Sequence, residues 1–328
     1  MDDYPRTVGE FEARFATEEA CREYLCRLRW PDGFHCRCGE ANAWLTARGL
    51  WQCAACGTQT SLTAGTVFQD TRKPLRLWLH AMWWVTSQKT GASALGLQRV
   101  LGLRSYETAW GWLHKLRRAM VRPGRDRLAG RVEVDESFVG GRGGAQGRST
   151  ATKALIVVAA EEVGHGIGRI RMRRIPDGSA DSLQAFVKAA VEPGSLVHTD
   201  GWHGYDRLKA TGYRHRVTLL RGQQELAFKC LPRVHRVISL LKRWLLGTHQ
   251  GAVTAAHLDY SLDEFTFRFN RRTSRHRGQL FFRLAQQALA SSQLPTKVWS
   301  SMSGVTATGS GHVAITSVKG IAHISGIP

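Results

Sequence analysis

Four of the chain's seven cysteines lie between residues 36 and 56, and thiols gathered so closely suit a metal ion. Cys53 and Cys56 form a C-x2-C pair, a spacing that lets two thiolates from one turn reach a tetrahedral zinc. The other half is Cys36-Arg37-Cys38, with a single residue between the thiols. His35 restores the usual two-residue gap to Cys38, so Cys36 and His35 compete for the fourth ligand position. Protein groups then fill the whole coordination shell, which makes this Zn2+ a structural one that holds a small fold together. Cys21, Cys26 and Cys230 stand apart and read as small buried hydrophobes.

A second constellation is carboxylic. "VEVDES" ends a strand-like run with Asp135, and "VHTDG" ends another with Asp200. If the two strands are neighbours, a pair of aspartates can hold magnesium ions, the arrangement that in-line displacement at phosphorus requires. Glu133, Glu136, Asp263 and Glu264 are further acids, read as solvated or helix-surface charges. The stretch "RVHRVISLLKRWLLGTH", from Arg233 to His249, is amphipathic at helical spacing. His235, Ser239 and Lys242 form a polar row, and Val234, Val237, Ile238, Leu241 and Leu245 form an apolar stripe suited to a sheet.

The elements that must position these groups follow from periodicity. "EEACREYLCRLRW" is helical, with Tyr24, Leu25, Leu28 and Trp30 near one face, and Pro31 and Gly33 end it. A turn-rich segment carries the cysteines. From Pro74 to Met120 the pattern is helical again. Within it, a tight turn at Gly102 and an N-cap at Ser105 set two helices in a helix-turn-helix-like pair, which either reads DNA or simply packs in a core. After the linker "VRPGRDRLAG" the grammar changes to three strands, a helix and a fourth strand. "ALIVVAA" is an unbroken apolar run, as expected of a strand covered on both faces. These features predict an α+β multidomain protein. The expected domains are an N-terminal helix and zinc ribbon over 1–70 and a helical region over 71–125. An α/β domain over 126–290 and a weakly structured tail over 291–328 complete the division. The last 38 residues contain no Asp, Glu or Arg.

Composition bounds the partners. The chain has 328 residues, is 43% apolar, and carries a formal net charge of +20, a surface that attracts polyanions by counterion release. Nucleic acid is the expected partner. The Lys and Arg residues are spread along the chain and do not form one amphipathic membrane anchor. No apolar run has the length of a membrane span and the start lacks a secretory pattern, so a cytoplasmic location is expected.

Taken in order, "RLRWPDGFHCRCG", "QTSLTAGTVFQDTRKPLRLW", "SALGLQRVLGLRSYETAW", "VEVDESFVGG", "HTDGWHGY", "HRVISLLKRWLLGTH" and "LDEFTFRFNRR" resemble the DDE transposases of bacterial insertion sequences that carry an N-terminal zinc ribbon, the ISXO-type group. The resemblance spans about residues 15–285. It implies a ribonuclease-H-like catalytic domain with Asp135 and Asp200 as ligands of Mg2+ or Mn2+. It also implies strand cleavage and 3′-hydroxyl transfer at the ends of an element, on nucleoid DNA of a bacterial cytoplasm, by a homo-oligomer bound to element ends and target. Enzymes of this kind carry a third metal-site residue on a helix, and 34 residues separate Asp200 from His235. His235 would complete or support the site and Lys242 would neutralise phosphate. Two positions depart from the pattern. Ser239-Leu240-Leu241-Lys242 stands where "SNLK" is common, which makes Leu240 an alternative third position, and Cys-x-Cys replaces Cys-Pro-x-Cys. A relative that has lost catalysis and only binds DNA is the alternative reading, and a zinc-ribbon transcription or RNA-processing factor is a third. "FNRRTSRHRG" reads as a phosphate-contacting patch or a solvated loop.

Overall fold

In the computed structural model of the chain, residues 3–122, 124–140, 153–219, 229–249, 253 and 255–291 are described. The expected tail lies outside the described residues from position 292 onward. No helix among the described residues is long and apolar enough to cross a membrane.

The N-terminal part opens with helices Val8–Arg14 and Glu18–Arg29, each capped by a threonine hydroxyl that accepts a backbone N–H, from Glu10 and Ala20 respectively. A three-stranded antiparallel sheet follows, β1 (Ala43–Leu45), β2 (Leu50–Cys53) and β3 (Gln59–Ser61). Helices Leu75–Ser87, Ala94–Leu101 and Tyr106–Ala119 come next. The turn between the last two is built as its sequence indicates. Gly102 adopts the left-handed conformation, φ 61°, and the Ser105 hydroxyl accepts the N–H of Thr108. Leu97, Leu113 and Leu116 of this pair are buried in a large apolar core, where Trp78 stacks on Trp112 at 3.8 Å.

The last described helix, Gly278–Ala290, joins that same core from far along the chain. Its Leu280, Phe281, Leu284 and Ala288 are fully buried among the N-terminal helices. Gly278 is required there, because a Cβ would lie 1.8 Å from the carbonyl oxygen of Pro5.

The second core surrounds a five-stranded sheet, β4 (Arg131–Val139), β5 (Ala154–Val163), β6 (Gly166–Ile175), β7 (Leu196–Asp200) and β8 (Arg214–Thr218). Its order is β6-β5-β4-β7-β8. The first three strands are antiparallel neighbours, while β4, β7 and β8 run parallel. Helices cover both faces, so the layering is α/β/α with ribonuclease-H-like topology. Helices Pro232–His249 and Ala255–Phe269 pack on one face against Ile156, Val158 and Ala160. Helix Ala180–Ala190 and the 3-10 segment His203–Thr211 pack on the other against Val157 and Ala159. The unbroken apolar run of β5 is thus buried on alternate sides by two different layers.

Candidate active site and zinc centre

Alternation along β4 sends Val132 and Val134 into the core beneath Ala180–Ala190, so Glu133 and Asp135 point to the opposite face, toward Pro232–His249. β7 pairs in parallel with β4, Val132 with Val197 and Glu133 with His198. Two residues further along each strand stand Asp135 and Asp200, level with each other and on the same face. Asp200 closes its strand, and its Oδ1 accepts the N–H of Trp202 at 3.1 Å. Asp135 is only 9% exposed. Burial, together with the nearby carboxyls of Glu136 and Asp200, pushes its own carboxyl up to about 7, against the pull of Lys242. Glu136 is half-buried on the other side of the strand, where the hydroxyl of the fully buried Tyr205 donates to its Oε2 at 2.6 Å.

The helix Pro232–His249 buries its whole apolar stripe, Val234, Val237, Ile238, Leu241 and Leu245, against the sheet. That fixes its rotation and brings His235 Nδ1 to 3.7 Å from Asp135 Oδ2. Burial holds the imidazole below its ordinary pKa, with Glu133 and Asp200 pulling the other way, so the ring is neutral near pH 7. Lys242 lies close enough for Asp135 to raise its pKa, although burial outweighs that and lowers it overall. Ser239 is exposed, and Leu240 packs against the apolar cluster under the helix. The chain therefore gathers Asp135, Asp200, His235 and Lys242 in one place, from two strands and a helix.

Glu133 departs from the expectation of a solvated or helix-surface charge. It is 3% exposed and is neither solvated nor on a helix surface. Its Oε2 accepts the backbone N–H groups of Arg233 (2.8 Å) and Val234 (2.9 Å), and its Oε1 pairs with the Arg233 guanidinium at 2.9 Å. An anion thus caps the helix that carries His235, where the helix dipole favours negative charge. The sequence signals were its place two residues before Asp135, on the same strand face, and Pro232 at the first helical position. Glu264 is likewise fully buried, paired at 2.8 Å with both Arg117 and Arg268. Asp263 is half-buried, and burial pushes its carboxyl up to about 7 despite Arg118 and Arg125. In the basic stretch "FNRRTSRHRG", Asn270 bonds both backbone groups of Ile170, and Arg271 and Arg272 lie over the rings of Phe267 and Phe269. Asn270 and Arg271 are thus part of the packing, while Arg272, Thr273, Arg275 and Arg277 are exposed.

In the N-terminal part, the sulfur atoms of Cys36, Cys38, Cys53 and Cys56 all lie within 4.8 Å of one another. The Cys36–Cys56 and Cys38–Cys53 separations are both 3.6 Å. A tetrahedral zinc with bonds of about 2.3 Å sets sulfur atoms about 3.8 Å apart, so the four thiols fit the ion. His35 is exposed and outside this group, so Cys36 fills the position that the two contested. The single-residue gap closes because Gly39, with φ 93°, turns the chain back and lets Cys36 N–H reach the Glu40 carbonyl at 2.8 Å. Phe34 stacks on Trp51 at 5.5 Å and meets Trp30 edge-on, sheltering the thiols in an otherwise small fold.

A cysteine ribbon followed by an α/β/α domain with paired strand-end aspartates defines a zinc-ribbon protein with a ribonuclease-H-like domain. Residues 16–59 match the transposase zinc-ribbon domain, and residues 127–270 match the ISXO2-like transposase domain. The chain belongs to the zinc-ribbon transposases of the ISXO type. No curated protein matches the sequence. Among solved structures, the catalytic core domain of BIV integrase is similar, at 17% identity and a TM-score of 0.30, over 46% of this chain and 89% of that one.

Proposed function

We propose that this transposase cuts DNA at the ends of an insertion sequence and joins the freed 3′-hydroxyl groups to target DNA. The observation that carries the reading is the level, same-face placement of Asp135 and Asp200 on adjacent parallel strands, beneath the helix that presents His235 and Lys242. Carboxyl oxygens crowded at one end of a sheet suit a hard divalent cation, Mg2+ or Mn2+, better than thiol or imidazole groups would. Asp135 and Asp200 would hold it. Bound there, it supplies the Lewis acidity that in-line displacement at phosphorus needs. His235, a neutral imidazole and a poor magnesium ligand, orients water or a phosphate oxygen by hydrogen bonding. Lys242 offsets phosphate charge. Glu133 positions His235 by holding the start of its helix. The net charge of +20 suits double-stranded DNA, both element ends and target, engaged by a homo-oligomer on the nucleoid in the bacterial cytoplasm.

The presence of histidine where a third carboxylate is expected favours a second reading, a relative that binds DNA without cutting it. Asp135→Ala and Asp200→Ala separate the two. Each should keep duplex binding, since removing negative charge near phosphate does not weaken affinity, and each should lose nicking of an end-bearing duplex by at least about 100-fold. Nicking by either variant within about tenfold of wild type in magnesium refutes the site assignment, and a wild-type chain that binds but never nicks establishes the second reading.

A further inference from the structure

β6 is an edge strand of the five-stranded sheet, and beside it lies an open basin of about 600 Å³. Six arginines converge on it: Arg122, Arg125, Arg169, Arg171, Arg271 and Arg283. They come from four separate segments, the linker before β4, β6 itself, the end of helix Ala255–Phe269 and the helix Gly278–Ala290. The sequence spreads them over separate basic stretches, and only the fold brings them together.

Fewer carboxylates face the cluster than guanidinium groups. Asp126 meets Arg122 at 3.3 Å and Arg169 at 4.0 Å, and Glu161 meets Arg169 at 2.7 Å. Asp263 acts on Arg125 from the neighbouring helix. Some of the arginines have structural partners. Arg171 donates to the carbonyls of Ile170 and Asp126, and Arg271 donates to Phe267 while lying over its ring. Those contacts lock the guanidinium groups in place but do not cancel their charge. Burial and the neighbouring arginines push both Arg171 and Arg271 down to about 10. Like charges fixed this close are costly in the absence of an anion, and a planar, preorganised fork is the natural receptor for phosphate.

We propose that the basin is a phosphate-binding site that seats the backbone of double-stranded DNA outside the catalytic centre. This rests on the transposase reading above. β6 lies two strands from β4 in the sheet, and the register Arg171–Ala159–Val134 turns Arg171 to the face opposite Asp135, so the basin lies outside the catalytic centre. Arg125, Arg122 and Arg283 line the basin from outside the sheet.

The test is duplex binding by the full-length, zinc-loaded chain, followed by fluorescence anisotropy over a series of salt concentrations. In Arg125→Gln/Arg283→Gln the slope of log affinity against log salt should become shallower by about 1.8, since each lost phosphate contact removes about 0.9. Arg125→Lys/Arg283→Lys should restore most of it. Lys188→Gln/Arg207→Gln, which removes the same charge from exposed positions that do not line the basin, should leave the slope nearly unchanged. If the double glutamine variant loses its fold by circular dichroism, Arg283→Gln alone, on an exposed position, should still flatten the slope by about 0.9. A slope equal to wild type, or one matched by the control pair, overturns the proposal. So does stabilisation by inorganic tripolyphosphate without any change in the DNA slope, which would mark a site for free anions. A wild-type chain that fails to bind duplex at all refutes the transposase reading itself, and this one with it.

Discussion

Replacing Glu133 by alanine should loosen the start of the Pro232–His249 helix without unfolding the chain. The carboxylate is 3% exposed and accepts two backbone N–H groups, from Arg233 at 2.8 Å and Val234 at 2.9 Å. Hydrogen bonds to a charged group contribute about 1.5–3 kcal/mol each, and deleting one partner of a buried ion pair costs about 3–5 kcal/mol. The cost here belongs at the low end. Arg233 keeps Glu162 at 3.1 Å and the carbonyls of Gly164 and Gly166, so its charge is not stranded when Glu133 is lost. About 3 kcal/mol is therefore expected, which corresponds to amide exchange at Arg233 and Val234 faster by roughly 100-fold. Glu133→Gln keeps an acceptor oxygen and should lose only about 1 kcal/mol, or about fivefold. Native-state hydrogen exchange resolved to residues 230–240 measures both. Strand transfer should fall at least about tenfold in the alanine variant with duplex binding unchanged, because His235 begins one residue after the capped amides and small misplacements are costly in catalysis. Exchange within threefold of wild type in Glu133→Ala would refute the capping role.

Other consequences follow from the same geometry. Zinc should be present at one equivalent per chain in freshly reduced protein, lost on Cys53→Ser and retained on His35→Ala; metal analysis decides, and loss of zinc on His35→Ala would return the fourth position to histidine. If His235 supports the metal-binding aspartates, His235→Ala should lower strand transfer and His235→Glu, an oxygen ligand, should preserve or raise it. Little response at 235 combined with a gain from Leu240→Asn would move the third position to Leu240. Acid stability is set in part by His114, which is 4% exposed and held down to about 3 by burial first and then by Arg117, His257 and His249. Its folded pKa lies below the unfolded value of 6.5, so the unfolded chain binds the extra proton and stability falls as pH drops through the window from about 6.5 to 3, at up to about 1.4 kcal/mol per pH unit. His114→Gln should flatten the dependence of melting temperature on pH between 6.5 and 5. An unchanged slope refutes that account.

Much of this molecule is local and is therefore written in the chain. The Gly102 turn and Ser105 cap need only a residue tolerant of positive φ and a hydroxyl three residues before an amide. The double-sided apolar run of β5 and the stripe from Val234 to Leu245 state their own burial by period, and the alternation that sets Asp135 apart from Val134 is a property of any strand. The choice of Cys36 over His35 was open in the sequence because spacing permits both. It closed only when Cys36 met Cys56 across 20 residues of chain. The partnership of Glu133 with amides 100 and 101 residues away, and of Glu264 with Arg117 across 147, depends on which elements the sheet and the helices bring face to face. A carboxylate has the same composition whether solvated or buried, so its environment is decided by packing. The six-arginine basin has the same origin. Periodicity places residues on faces, but only sheet register and helix docking place faces against one another.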